Sequence, residues 1–113
     1  MLAAGGAGSL LLPDDSKVMN APDFPPEYAQ SAASTAKVLV TIRSVGDDLN
    51  WTFLSPSLFF ADCGRTWKFL LGLDHAVFDE GGYSSISIED YAIAMVDELE
   101  HPRHGRTRFT VGY

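Results

Sequence analysis

The residues best suited to chemistry in this chain sit in two small loops. Ser55-Pro56-Ser57 follows Trp51–Leu54, an apolar and β-branched run that reads as a short buried strand. Pro56 cannot continue a central ladder, so the strand ends abruptly there. A strand that stops in a small polar loop opens the kind of crevice where open α/β sheets bind ligands. The second loop is Gly5-Gly6-Ala7-Gly8-Ser9, behind a candidate strand at Leu2–Ala4. Its glycines permit positive φ and a close approach of backbone to a neighbour or ligand. The spacing is not G-x-G-x-x-G and no helical pattern follows at once, so a structural turn is its plainer reading.

Other reactive residue types are sparse. His75, His101 and His104 are the only histidines, and the last two straddle Pro102, so they are not a helical ligand pair. No metal site is expected from them. Cys63 has only Arg65 as a nearby cation in sequence, which does not make a reactive thiolate. Asp90 reads as a helix cap rather than a catalyst, and Trp51 and Trp67 as core or ribbon residues.

These residues need elements to hold them. Leu10–Pro26 is a proline-rich loop leading to a helix over Pro26–Ser44, with Glu27 near its positive end. Tyr28, Ala32, Thr35, Ala36, Leu39 and Ile42 share a face at helical spacing. The β-branched run in Lys37–Arg43 offers a strand as the alternative, and Gly46-Asp47-Asp48 stops the segment. Leu58-Phe59-Phe60 continues the apolar run after Pro56, and Asp62-Cys63-Gly64 turns the chain. Trp67–Leu71 and His75–Asp79 read as a small β-ribbon to which Ser84–Ile88 adds a third strand. Ser87-Ile88-Glu89-Asp90 is an aspartate version of the capping box, with Asp90 reaching back to Ser87. The helix it opens runs to Glu100, burying Tyr91, Ile93, Ala94, Val96, Asp97 and Leu99 and leaving Glu98 and Glu100 outside. Arg106–Tyr113 is a final strand alternating Phe109 and Val111 against Arg108 and Thr110.

Composition limits the choice of partners. A chain of 113 residues, 46% hydrophobic and 20% charged, is a single globular domain of the α/β class. A net charge of −7 disfavours nucleic acid and anionic membrane surfaces. One cysteine excludes an internal disulfide and fits a reducing, cytoplasmic setting. No apolar run approaches a membrane span. Met1–Leu12 lacks the basic start of a secretory signal.

Four blocks carry a family resemblance: GGAGSL at Gly5–Leu10, DFPPEY at Asp23–Tyr28, DDLNWTFLSPSLFF at Asp47–Phe60 with Gly64-Arg65-Thr66 behind it, and SISIEDYAIAMVDELEHPRHGRTRFTVGY at Ser85–Tyr113. In order and spacing the chain resembles the C-terminal half of the atypical short-chain dehydrogenase/reductase-like NAD(P)H-binding proteins, the putative NADH–flavin reductase group. The resemblance implies the second half of a Rossmann-type doubly wound parallel sheet, from the fourth strand onward, with a small β-ribbon. It implies hydride transfer between NAD(P)H and a flavin-like or small carbonyl acceptor. It places Gly6, Ala7, Gly8 and Ser9 near the nicotinamide, Ser55, Pro56 and Ser57 over it, and Arg65 and Thr66 at a phosphate or substrate. The Tyr-x-x-x-Lys pair of the wider superfamily is not met, because Ala32 stands four places after Tyr28, and no catalytic residue is assigned. The blocks that would form the family's N-terminal half are not found here. The expectations that follow are a truncated product, a fragment or a wrongly assigned start, with weak NAD(P)H binding by the chain alone. Self-association or a second chain would then cover Leu2, Phe53, Phe59 and Phe60. A non-enzymatic remnant or interaction module is the alternative.

Overall fold

Two apolar runs, Thr52–Ser55 (β2) and Thr107–Gly112 (β6), lie side by side in parallel, Thr52 opposite Thr107 and Leu54 opposite Phe109. The computed structural model describes residues 2–22, 24–45, 49–62 and 64–113. Leu2–Ala4 (β1) pairs in parallel with β2, and Leu70–Gly72 (β4) pairs antiparallel with β6. The order across this sheet is therefore β1-β2-β6-β4. Phe59–Ala61 (β3) and Ser85–Ser87 (β5) form a separate parallel pair.

Helices cover both faces of the central strands, as a mainly parallel sheet requires. Ala29–Arg43 (α1) crosses over between β1 and β2 and packs Leu39 and Ile42 against Trp51 and Phe53. Ile88–Glu100 (α2) precedes β6 and packs Tyr91 and Ala94 against Leu54, Ile86, Phe109 and Val111. All four residues of β2 are buried, and in β6 so are Arg108 and Thr110, which alternation had put on an open face. Phe53 is likewise fully buried under α1 rather than left uncovered, whereas Phe59 and Phe60 are exposed.

The first helix enters through a single 3-10 turn at Pro26–Tyr28 and becomes α-helical at Ala29. The helical reading of residues 37–43 holds over the strand alternative. The Gly46-Asp47-Asp48 stop lies outside the described residues, as does Cys63. The expected ribbon is built differently. Residues 75–79 form no strand beyond a bridge from His75 to Leu11. Leu70–Gly72 pairs with the longer open edge of β6 instead, and Ser85–Ser87 pairs with Phe59–Ala61.

The second helix starts as its sequence indicates. Ser87 Oγ accepts from the Asp90 amide at 3.0 Å. Asp90 does not close the box, because its short side chain is engaged elsewhere. Its carboxylate accepts from the Thr66 amide at 3.0 Å, Thr66 Oγ1 at 2.6 Å, the Trp67 amide at 3.1 Å and the Tyr113 hydroxyl. The Ser87 amide donates to Tyr113 Oη instead. Burial along α2 also differs from the expected set: Val96 and Leu99 are exposed and Glu98 is buried. Asp90, Ala94 and Glu98 follow one another at four-residue spacing, so Glu98 lies on the inward stripe. It tolerates burial because it accepts from the Arg103 and His104 amides and meets His104 Nδ1 at 2.8 Å. Burial pushes the Glu98 carboxyl up, but His104 and these amides outweigh it and hold the group below its ordinary range.

Ser87→Ala removes a cap oxygen that also lies within hydrogen-bond distance, 3.1 Å, of Tyr113 Oη. It is expected to cost roughly 0.5–2 kcal/mol, read as a lower urea midpoint with an unchanged slope. An unaltered midpoint would mean that the cap contributes nothing.

Candidate functional site

The parallel pairing of β1 with β2 brings the two loops named first in the sequence to the same end of the sheet. The Gly5 amide continues the ladder, donating to Leu54 O at 2.8 Å. A Cβ on Gly5 would sit 2.0 Å from the Phe53 ring, so only glycine fits there. Gly8 is pressed against α1, where a Cβ would lie 2.7 Å from Ala32 Cβ. Its carbonyl accepts from the Met19 amide at 3.0 Å. On the other side, Ser57 is buried and its hydroxyl donates to Val111 O at 2.6 Å, which anchors the turn after Pro56 to β6.

Between these loops is a cleft of about 580 Å³. Gly6, Ala7 and Gly8 form one wall, and Pro56, Ser57, Leu58, Phe59 and Phe60 the other. Phe24, Pro25, Tyr28 and the start of α1 complete it, with Thr35 beside Gly6. No charged side chain lines it among the described residues. The cleft therefore offers apolar faces, backbone amides and carbonyls, and a few hydroxyls. That set suits an uncharged, planar ring with polar edges better than a phosphate.

Ser9 and Ser55 lie behind the cleft rather than in it. Arg108 crosses beneath both loops and donates from NH1 to Ser9 Oγ at 2.9 Å and to Ser55 Oγ at 3.4 Å. Its NH2 donates to Ser9 O at 3.1 Å, and its Nε to Asp74 Oδ1 at 3.1 Å. Arg65 and Thr66 lie apart from the cleft. Thr66 is committed to Asp90, and the Arg65 guanidinium lies 5.4 Å from the centroid of the Trp67 ring, in a groove along α2.

The aromatic wall and Arg108 went unread as site elements in the sequence. The signal for the first was there, since Leu58-Phe59-Phe60 follows Pro56 directly. The signal for Arg108 was a charged residue in the middle of a strand otherwise fit for the core. Tyr91, beneath the cleft, packs on Phe60 at 5.0 Å between ring centroids and donates to Leu54 O at 2.8 Å. Burial pushes its hydroxyl up to about 12, so it stays protonated and structural at neutral pH. Among the described residues no three His, Cys, Asp or Glu side chains gather as metal ligands. Among the described residues no helix is long and apolar enough to cross a membrane.

No protein-family model matches the chain. It is 43% identical over 114 residues to the uncharacterized protein YwnB of Bacillus subtilis (strain 168), a match covering 98% of this chain and 53% of that protein. A solved structure described as a putative epimerase, from Bacteroides thetaiotaomicron, is 37% identical with a TM-score of 0.93, over 99% of this chain and 52% of that one. A putative NADH-flavin reductase from Streptococcus pneumoniae TIGR4 is 38% identical with a TM-score of 0.90, over 98% and 54%. A wide-type short-chain dehydrogenase/reductase from Veillonella parvula DSM 2008, in complex with NADP, is 22% identical with a TM-score of 0.66, over 99% and 49%, which bears on fold alone. The chain spans about half the length of the proteins it matches.

Proposed function

Because the chain has the fold of one half of a short-chain dehydrogenase/reductase-like protein, we propose that its cleft seats the nicotinamide end of NAD(P)H. The reaction served is hydride transfer to a flavin-like or small carbonyl acceptor, as the name of the Streptococcus pneumoniae relative suggests. The observation that carries this reading is the uncharged cleft at the carboxyl ends of β1 and β2, between a glycine loop and a proline turn.

Bound NAD(P)H would supply the hydride. The residues of this chain bind, orient and exclude water. Gly6 and Gly8 present bare backbone to the cleft while lying close against Thr35 and Ala32 of α1. Pro56 and the Phe59–Phe60 wall cover an apolar face and keep solvent off it. Tyr28 is 58% exposed at the rim and has Ala32, not lysine, four residues on, so the Tyr–Lys pair of the wider superfamily is not formed. Transfer to a flavin-like acceptor does not require a side-chain acid, which favours that class over a carbonyl. The single cysteine supports a reducing, cytoplasmic setting.

Amide spectra recorded while reduced nicotinamide mononucleotide and NADPH are added test this. Weak, saturable changes are expected at Gly6, Gly8 and residues 58–60, at millimolar ligand, with little heat at lower concentration. Gly6→Ala, whose Cβ would meet Thr35 Cγ2 at 3.3 Å, is expected to fold and to weaken both titrations. Silence at these amides, or changes confined to another surface, would overturn the reading in favour of a non-enzymatic interaction module.

A further inference from the structure

A helix that covers a sheet needs one apolar stripe, and α2 has two. Tyr91 and Ala94 pack on the sheet. Ile88, Ala92 and Val96, spaced four apart, form a second stripe that faces solvent, with Ile88 46% and Val96 49% exposed. This stripe floors a groove of about 620 Å³ whose other wall is Arg65 and Trp67. That wall is ordered in advance. Asp90 accepts from the Thr66 and Trp67 amides, and the Arg65 guanidinium lies over the Trp67 ring. Trp67 is 65% exposed, a large ring held out toward the groove by a left-handed backbone, φ 62.

The rim is acidic. Glu89, Asp97 and Glu100 line it, and Asp62 bonds to Glu89 from the neighbouring loop. Arg103 bridges to Asp97, and Arg65 stands on the facing wall. Four carboxylates against two guanidinium groups leave an excess of about two negative charges. The bond between Asp62 and Glu89 raises the Asp62 carboxyl and lowers that of Glu89, and an incoming cation relieves the crowding of the pair.

We propose that this groove docks a basic amphipathic helix of a partner protein. Its apolar face would lie on Ile88, Ala92 and Val96 against Trp67, and its lysines or arginines over the carboxylate rim. Anchors at helical spacing are the way grooves read helices, and Trp and Arg are among the side chains that most often carry binding energy. Ala92, small and central, lets a partner helix come close. From Ile88 to Glu100 the floor runs about 18 Å, enough for some three turns. A second copy of the chain is disfavoured, because each copy carries a net charge of −7. The proposal is independent of the nicotinamide reading, since groove and cleft share no lining residue.

A synthetic peptide of about fourteen residues, with leucine on one helical face and lysine on the other, is titrated against the chain at constant ionic strength. A scrambled peptide of the same composition and a leucine–glutamate counterpart are the controls. Saturable changes are expected at the Trp67 indole N–H and the Ala92 and Val96 amides with the first peptide, and neither control should match them. Val96→Lys, which puts a charge on the apolar floor, should weaken binding by about tenfold or more with circular dichroism unchanged. Glu100→Lys should weaken it severalfold, and added salt should shrink that difference. Equal binding of the scrambled peptide, changes confined to another surface, or affinity untouched by Val96→Lys would overturn the proposal. So would a concentration-dependent mass of the chain alone that Val96→Lys abolishes, since a second copy would then fill the groove.

Discussion

Asp90→Ala is expected to destabilise the protein by about 3 kcal/mol, seen as a lower urea midpoint. The carboxylate collects four donors: the Thr66 amide and hydroxyl, the Trp67 amide and the Tyr113 hydroxyl. Hydrogen bonds to a charged group contribute roughly 1.5–3 kcal/mol each, but residues 66 and 67 are exposed and can recover part of that from water. Trp67 also holds a left-handed backbone, φ 62, that a non-glycine residue adopts at a cost of roughly 1–2 kcal/mol. Without the carboxylate nothing on the opposing helix rewards that conformation. The total is a large share of the roughly 5–15 kcal/mol that natural domains retain.

The same residue sets an acid limb. Burial pushes the Asp90 carboxyl up, yet the bonds from Thr66, Tyr113 and Trp67 together outweigh it and bring the group down from 3.8 to about 2. A carboxyl depressed in the folded state adds stability above its unfolded value and loses it as pH falls through the folded one. The contribution is therefore complete above about pH 4 and gone near pH 2. Its size is about 1–2 kcal/mol after allowance for the thin cover over the group. Asp74 and Glu98 are also depressed and contribute in the same direction. The difference between parent and Asp90→Asn isolates Asp90, and parallel acid limbs for the two proteins would refute the assignment.

Arg108→Met is expected to cost about 1.5–3 kcal/mol, the range for losing hydrogen bonds to a buried charged group, since its partner Asp74 is half-exposed and keeps Arg43. The guanidinium is the physical link between the glycine loop, the end of β2 and the segment after β4. Its loss leaves the Ser9 carbonyl and the Ser55 hydroxyl without that donor and Asp74 with Arg43 alone. Thermal melting reads the stability. Amide exchange at Gly8 and Ser9 should quicken more than at α2, because the loop loses its tether before the far face loses packing. Uniform quickening across the chain would show that Arg108 supports the core in general.

Local chemistry was legible in the residues, and long-range chemistry was not. Leu2–Ala4, the Ser87 cap and the span of α2 follow from turn glycines, a hydroxyl at the right offset and apolar periodicity, all short-range signals. The strand before Pro56 was read one residue early, at Trp51–Leu54 instead of Thr52–Ser55. The expected ribbon does not form because the open edge of β6 outcompetes the neighbouring segment from forty residues away, in the register Leu71–Val111. Strand alternation sets Arg108 on an open face, and Glu98 reads as an outward residue of α2. Their burial depends on Asp74, Ser9 and His104, none of them an adjacent residue. The meeting of Gly6, Ala7 and Gly8 with Pro56 and Ser57 in one cleft was implied by the family resemblance, and parallel pairing of β1 with β2 is what brings it about. The same pairing turns Ser9 and Ser55 toward Arg108. Thr66 is drawn away by Asp90, a partner that reading Asp90 as a simple cap had concealed.

The central place of β2 has a kinetic consequence. Its two neighbours, β1 and β6, are each joined to it by a long segment that contains a whole helix. Neither pairing rewards the chain until a large loop has closed, and the entropy of closure is spent before any ladder bond forms. Refolding is then limited by the search for these parallel contacts and not by the helices, which assemble from nearby residues. During that search Phe53 and Leu54, both sealed in the finished molecule, face solvent together. The interval before β6 docks is thus when two copies of the chain are most able to entangle.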